Sequence, residues 1–509
     1  MPKENQKQRA YLNSLTSIID QIFKQIIGFI VSPFLVKGLG SSIYGVYQIV
    51  LELSGYANLA DAQSTQVLKW TLAKNREISS DEELRSEITT GLYIVFFILP
   101  IILVVGSVLS WFSPMIVKID PEYEDLIRIA SGIIIFSIII EKFSNFFESI
   151  LRGMNLGFKG LGIRAGLILL GGIGKIGVIQ LGFGLIGLVI LQVFLGIFTG
   201  IVFYLLVKKN IPWFGFGRTN KEKIFSYTKL SGWFMATKMA GMLLFHSEKI
   251  LLGFFIGPKL VTVYVLTMFT TSALKGILDS VISGVIPGIG SFFGKGEFEK
   301  IQKSRLLINN MVWFIAFSCG TSILLFNNSF LELWVGKGNY AGSIENLLIL
   351  LVAIQYVLFF TTGNFINVTL DLKTKVYLTG VAAGISIGMA SLLVPKYEIL
   401  GLCISILFGR SILSVGFPLI LNRKMNLNTT YFIRKNELRA LFFSLLGFVA
   451  VIILEDLIGV VSNWISLIIC VITSTFISGV LFWFLALESQ NRSLIKHQIS
   501  RIKFLSVKD

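Results

Sequence analysis

The chain has little of what a soluble enzyme needs. Its 509 residues include three cysteines and two histidines, and only 15% of them are charged. Cys319, Cys403 and Cys470 each fall inside an apolar run, and no spacing among them marks a disulfide or a metal site, so their expected role is packing. With His246 and His497 alone, a zinc or haem centre has too few ligands, and no metal ligand set or catalytic residue is assigned. No G-x4-G-K-[ST] motif is present, which excludes a P-loop nucleotide site. No stretch is polar enough for a soluble domain, and the segments expected outside the membrane are too short to present acids and bases to a donor. A membrane glycosyltransferase or polysaccharide polymerase therefore ranks low.

What the chain does have is apolar length. Hydrophobic residues make up 54% of it, with 43 phenylalanines, and the mean hydropathy is +0.77. Such values belong to an integral membrane protein. Apolar runs of about 20 residues indicate helices, because barrel strands would be half as long and would alternate. About fourteen spans are expected: 13–37, 42–68, 88–112, 126–150, 160–181, 184–207, 229–256, 260–290, 306–327, 344–370, 376–394, 399–421, 438–459 and 464–487. The first, preceded by Lys3, Lys7 and Arg9, is too long for a signal peptide core and is read as an uncleaved span.

The net charge is +16. Counting spans from a cytoplasmic N-terminus puts Lys69, Arg152, Lys208, Lys300, Arg423 and their basic neighbours inside, and little beyond Lys118, Lys259, Lys337 and Lys396 outside. That asymmetry sets both termini on the cytoplasmic side and accounts for the basic balance without nucleic acid. The stretch WTLAKNREISSDEELRSEIT reads as a helix on the membrane surface, and KIDPEYEDL as a short acidic segment outside.

An internal repeat orders the spans. Gly40-Ser-Ser-Ile-Tyr44-Gly45-Val46-Tyr47 follows the first span, and Gly257-Pro-Lys-Leu-Val-Thr-Val263-Tyr264 follows the seventh; both read G-x5-V-Y. Leu185-Ile-Gly187-Leu-Val-Ile is echoed by Ile399-Leu-Gly401-Leu-Cys-Ile, and the turns LRGMNLGFK and LDLKTK fall at a similar offset. Six helices repeated by six have the same membrane orientation, a parallel repeat with a cavity expected between two lobes. The expected fold is all-α, with an N-lobe at 1–210, a C-lobe at 211–425, an accessory helix pair at 426–487 and a basic tail at 488–509.

Ionisable residues deep in spans mark a pathway. In the first lobe these are Asp20 and Lys24, four residues apart on one helical face, with Glu52, Glu141, Lys142 and Lys175. In the second they are Lys238, His246, Glu248, Lys249, Lys275, Asp279 and Arg410. Lys24 is paired with Asp20, Lys142 with Glu141 and Lys275 with Asp279, while Lys175, Lys238 and Arg410 have no partner at helical spacing. A wet cationic cavity is expected, and its substrate should be anionic: lysine suits phosphate as a point charge and Arg410 could grip it bidentately. Lys24, Lys175, Lys238, Lys249, Lys275 and Arg410 are the candidate substrate-binding cations. Asp20, Glu52, Glu248 and Asp279 are the candidates for coupling to a proton or to sodium, and no other cofactor is expected.

The segments VKGLGSSIYGVYQ, SEKILLGFFIGPKLVTVY, IPGIGSFFGKGEFEKIQK and FLELWVGKGNYAGSIENLLILL, in that order, resemble landmarks of the polysaccharide-transporter branch of the multidrug, oligosaccharidyl-lipid and polysaccharide (MOP) exporter superfamily. The similarity runs from about residue 13 to about 425. It implies two six-helix lobes, alternating access, and flipping of an undecaprenyl-pyrophosphate-linked oligosaccharide, as in O-antigen and capsule-unit flippases of the bacterial cytoplasmic membrane. Expected partners are that lipid-linked cargo, membrane lipids and other polysaccharide-assembly proteins. Lys24 matches the cavity cations of such flippases in type and placement. Glu248 stands where members carry an acid before the I-L-G run, and Lys249 follows it. A cation-coupled drug or metabolite exporter and a peptidoglycan-precursor flippase of the same superfamily remain the alternatives.

Overall fold

A computed structural model describes residues 6–57, 64–75, 79–118, 121–294, 296–369, 372–425, 435–487 and 492. These residues form fifteen α-helices, and no strand occurs among them. Contacts within the chain divide it into two units, Met1–Thr262 and Val263–Asp509.

The first unit holds α1 (Gln6–Ala57), α2 (Ser64–Asn75), α3 (Asp81–Ile116), α4 (Glu124–Gly153), α5 (Gly157–Gln180), α6 (Gly184–Asn210), α7 (Lys221–Phe245) and α8 (Glu248–Phe255); α9 (Pro258–Thr267) carries the chain across the division. The second unit holds α10 (Phe269–Gly294), α11 (Phe298–Trp334), α12 (Ser343–Thr369), α13 (Leu372–Lys424), α14 (Lys435–Ile458) and α15 (Trp464–Leu481), the last ending in a π-helical turn at Phe482–Ala486.

Among the described residues eight helical segments are long and apolar enough to cross a membrane, nine if the bent pair Pro258–Thr267 and Phe269–Asp279 is one span. Phe97, Leu392 and Ile465 are about three-quarters exposed, which places hydrocarbon where lipid would be. Two pairs of the predicted spans, 13–37 with the first part of 42–68 and 376–394 with 399–421, share single bent helices, while 229–256 is divided between α7 and α8 and 260–290 between α9 and α10. α1 breaks at Gly40, whose φ of 75° ends one arm and starts the next, and α13 breaks at Glu398, with φ of 49°. The span predicted at 42–68 is interrupted: α1 ends at Ala57, α2 starts at Ser64, and 58–63 lie outside the described residues. The expected surface helix at WTLAKNREISSDEELRSEIT is corrected to two helices. Ser80 caps α3, accepting from Glu83 N at 3.3 Å while Glu83 Oε2 accepts from Ser80 N at 3.2 Å, so the acidic half is the first turn of α3.

The repeat seen in the sequence has a backbone counterpart. Gly40 and Gly257, which open the two G-x5-V-Y motifs, both have positive φ. Gly187 and Gly401, the glycines of the second echo, each lie three residues past a positive-φ residue, Gly184 and Glu398. Each glycine also lets its helix lie against the end of the one before it: a Cβ would strike Val178 and Phe183 at Gly187 and the Leu393 carbonyl at Gly401.

The first unit extends past residue 210 because the segment after α6 is tied to α3. Arg85 Nε donates to Trp213 O at 2.7 Å, Gly217 N to Thr89 Oγ1 at 2.8 Å, and Lys223 pairs with Glu87 at 2.8 Å. Beneath these ties Leu68, Leu72, Ile88, Phe146, Ile150 and Phe203 form a buried core. In the second unit Asn327 of α11 donates to Thr267 O and Asn346 Oδ1 and accepts from Thr270, each at 2.9 Å. Small hydroxyls then bring α15 close to α11, Ser322 lying 2.7 Å from both Ser474 and Thr475. The tail at 488–509, apart from residue 492, lies outside the described residues.

Gly45 is where α1 meets the start of α9: a Cβ there would run into the Pro258 carbonyl, and Thr262 Oγ1 donates to Ser41 O at 2.6 Å beside it. Gly45→Ala is expected to destabilise the purified protein by about 1–3 kcal/mol. Gly166→Ala, where a Cβ meets nothing within 4 Å, should leave stability unchanged or raise it by up to ~1 kcal/mol. Thermal unfolding in detergent compares the two, and equal midpoints would refute the close-packing account.

Candidate functional site

Five helical arms of the first unit enclose a cavity of about 520 Å³. Its lining follows helical spacing: Lys24, Gly28, Val31 and Leu35 on the first arm of α1; Tyr44, Tyr47, Gln48 and Leu51 on the second; Ser137, Glu141, Ser144 and Glu148 on α4. α5 contributes Arg164, Ile168, Gly171 and Lys175, and α6 contributes Gln192 and Thr199. The glycines of α5 make this possible. A Cβ at Gly172 would stand 2.6 Å from Ile27, so the glycine lets α5 lie against α1.

The charges fall into two groups. Glu148 is held by Arg164 at 2.9 Å and by Arg152 one turn on. Lys24, Lys175 and Glu141 line the same cavity. Arg164 and Lys175 are three turns apart on α5, about 16 Å along its axis, so the lining is charged along much of its length. The expected Glu141–Lys142 pair is not the arrangement found. Consecutive residues on a helix point about 100° apart: Glu141 is exposed in the cavity lining, while Lys142 is buried at 4% exposure and absent from it.

A second constellation ties α1 to the break between α7 and α8. Both Glu52 oxygens are engaged, Oε1 by Lys249 Nζ at 2.7 Å and Oε2 by His246 Nδ1 at 2.7 Å. Lys249 also reaches Gln48 Oε1 at 3.4 Å, which joins this cluster to the cavity wall one turn away. Lys249 thus pairs with Glu52 across helices rather than with its sequence neighbour Glu248. Glu248 is half-buried and its charge reaches Tyr56, whose hydroxyl donates to Met242 O at 3.5 Å.

The second unit gathers three more of the expected residues around Tyr356. Lys275 Nζ sits 3.6 Å from the centre of the Tyr356 ring. Asp279, one turn further along α10, and Arg410, buried at 3% exposure, both act electrostatically on the same tyrosine. Asp279 Oδ1 is buried with no hydrogen bond among the described residues. Lys238 is half-buried on α7, and the Asp20 side chain lies outside the described residues. The expected residues therefore fall into three groups: Lys24 with Lys175, Glu52 with Lys249, and Lys275 with Asp279 and Arg410.

Glu148, Arg164, Gln48 and Tyr356 were not anticipated. The i, i+4 pair of Glu148 and Arg152 beside the repeated turn LRGMNLGFK was the available signal for the first two. Nothing in the sequence singles out Tyr356. In the acidic segment at the start of α4, Arg128 engages Glu124 at 3.0 Å and Asp125 at 3.1 Å.

The long apolar helices, two of them bent, make this a multi-pass membrane fold. Solved structures with this fold include the lipid II flippase MurJ in an inward closed conformation, with TM-score 0.70 at 15% identity over 92% of this chain and 98% of that one. An inward-facing multidrug resistance MATE family transporter of the MOP superfamily gives 0.56 at 16% identity, covering 81% and 96%. A eukaryotic MATE transporter gives 0.58 at 16% identity, covering 82% and 96%. The chain is a multi-pass membrane protein with the MOP transporter fold. Residues 12–293, more than half of it, match the family model described as polysaccharide biosynthesis protein, and the chain belongs to that family. No curated protein sequence matches it.

Removing Lys249 would leave a partly buried carboxylate with a half-exposed histidine. Lys249→Met is expected to lower stability by about 2–3 kcal/mol, and adding Glu52→Gln should recover most of that loss. A double-mutant cycle on thermal unfolding measures the coupling; additive effects would mean that the pair contributes nothing beyond its separate side chains.

Proposed function

We propose that this protein moves a polyprenyl-pyrophosphate-linked oligosaccharide, a repeat unit of O-antigen or capsule, from the inner to the outer leaflet of the bacterial cytoplasmic membrane by alternating access, with both termini cytoplasmic. The observation that carries this reading is the cavity of the first unit, which Lys24, Lys175 and Arg164 line together with Glu141 and Glu148. A pyrophosphate is the kind of group that completes such a lining, because the lysines supply compact charges and the polar wall at Gln48, Gln192 and Thr199 supplies hydrogen bonds to sugar hydroxyls. Family membership supports a role in polysaccharide assembly. No bond is made or broken. The polyprenyl tail stays in the bilayer while the head crosses, driven by a sodium ion or proton bound at Glu52, Glu248, Asp279 or Asp20.

Depletion of the protein should cause the lipid-linked oligosaccharide to accumulate on the cytoplasmic leaflet, detected by mass spectrometry of membrane lipids. Lys24→Ala and Lys175→Ala should each reduce flipping in proteoliposomes by about tenfold or more, the loss of one charged contact. Lys24→Arg should retain most of it. Intact surface glycans without accumulation would overturn the proposal and favour export of a drug or metabolite.

A second reading draws on the fold match to MurJ, whose TM-score of 0.70 exceeds the 0.56 and 0.58 of the two MATE transporters. On that reading the cargo is a lipid-linked peptidoglycan precursor. The same lipid analysis separates the two, because the accumulated head group identifies itself by mass.

A further inference from the structure

The second unit contains a cavity of about 430 Å³ that the transport reading leaves unused. It lies among α11, α12, the second arm of α13 and α14. Arg305, Asn309 and Trp313 recur at one-turn spacing along α11 and form one wall; α12 and α13 contribute the apolar Ile354, Leu358 and Leu407 together with the uncharged polar Gln355, Thr362, Ser411 and Ser414.

The cavity is a slot running along the helices. Arg305 lies seven residues from the start of α11, Thr362 seven from the end of α12, Pro418 six from the end of α13 and Leu441 six from the start of α14. These four therefore share one level, about 10 Å from that end of the bundle. Leu351 and Leu407 lie 18 and 17 residues from the same ends, about 26 Å in. The slot is thus about 16 Å long, close to the ~15 Å that one leaflet of a ~30 Å hydrocarbon core gives its acyl chains.

Its two ends differ in chemistry. At the shallow end Arg305 and Asn309 are buried at 9% and 7% exposure, and the nearby helix ends carry the exposed cations Lys300, Lys303, Arg423, Lys424 and Arg439. Further in, Gln355 Nε2 donates to Leu407 O at 2.9 Å, and its Oε1 is buried with no hydrogen bond among the described residues. On α13 and α14 Phe408, Val415, Leu438 and Phe442 are exposed apolar side chains, as a surface in contact with lipid requires.

We propose that this slot is a binding site for an anionic glycerophospholipid, with one acyl chain along Ile354, Leu358 and Leu407 and the phosphodiester at Arg305 and Asn309. A guanidinium fork grips phosphate bidentately. The surrounding cations draw in a headgroup of net negative charge and disfavour the added ammonium of a zwitterionic one. This site is separate from the cavity of the first unit and does not rest on the identity of the cargo.

The full chain, reconstituted in phosphatidylcholine nanodiscs, tests this through the tryptophan in the slot. Phosphatidylglycerol brominated on its acyl chains should quench a saturable part of the fluorescence at a mole fraction where brominated phosphatidylcholine does not. Trp313→Phe should remove that part. Arg305→Gln should raise the half-saturating mole fraction by about tenfold, the loss of a charged hydrogen bond. Equal quenching by the two lipids, or an unchanged titration in Arg305→Gln, would overturn the proposal. So would displacement of the brominated lipid by stoichiometric polyprenyl pyrophosphate, since the slot would then belong to the cargo. If Arg305→Gln does not purify as a single species, the headgroup comparison on the unaltered chain still decides.

Discussion

A charge inside hydrocarbon must have an opposite charge, an oriented dipole or water beside it, and the arrangement of this protein follows from that requirement. Glu52 meets it with two partners from the break between α7 and α8. Glu148 meets it with two arginines, and Lys275 with the face of an aromatic ring. Each solution joins separate helical elements or opens on a cavity. The ionisable residues thus fix which helices associate, while lipid-like side chains on the outer faces leave that choice open.

Backbone proximity is the second organising feature. Gly45 against Pro258, Gly172 against Ile27 and Gly187 against Val178 are places where a methyl group would separate two helices. In a membrane, where apolar side chains gain nothing by leaving lipid, such contacts supply the packing that water supplies elsewhere. The glycines at the hinges do different work. Gly40 and Gly257 take positive φ at matching positions of a repeated motif, so the repetition is one of backbone conformation as well as of letters.

These features bear on transport. A cavity walled by bent helices and lined with charges that are partly matched within the protein can accept an anionic group without a large penalty when empty. The family to which the chain belongs is described as polysaccharide biosynthesis protein. The Glu52 cluster adjoins the cavity wall through Gln48, so a change of charge at Glu52 would be felt where the head group is proposed to bind.

The sequence by itself determined that the chain is a helical membrane protein, because apolar run length is a local property; of its about fourteen expected spans, eight helical segments among the described residues are long and apolar enough to cross a membrane, nine with the bent pair. The two glycines that open its G-x5-V-Y motifs, Gly40 and Gly257, both take positive φ. Its pairing of charges was less accurate. Neighbours such as Glu141 and Lys142 or Glu248 and Lys249 are close in the chain yet point to different sides of a helix. Lys249 finds Glu52 about two hundred residues away in sequence, and Arg164 finds Glu148 across the turn between α4 and α5. Tyr356 as the meeting point of Lys275, Asp279 and Arg410 carries no sequence signal. Only the tertiary structure decided these partnerships, because they depend on the rotation of each helix about its own axis, which packing against other helices sets and hydropathy does not encode.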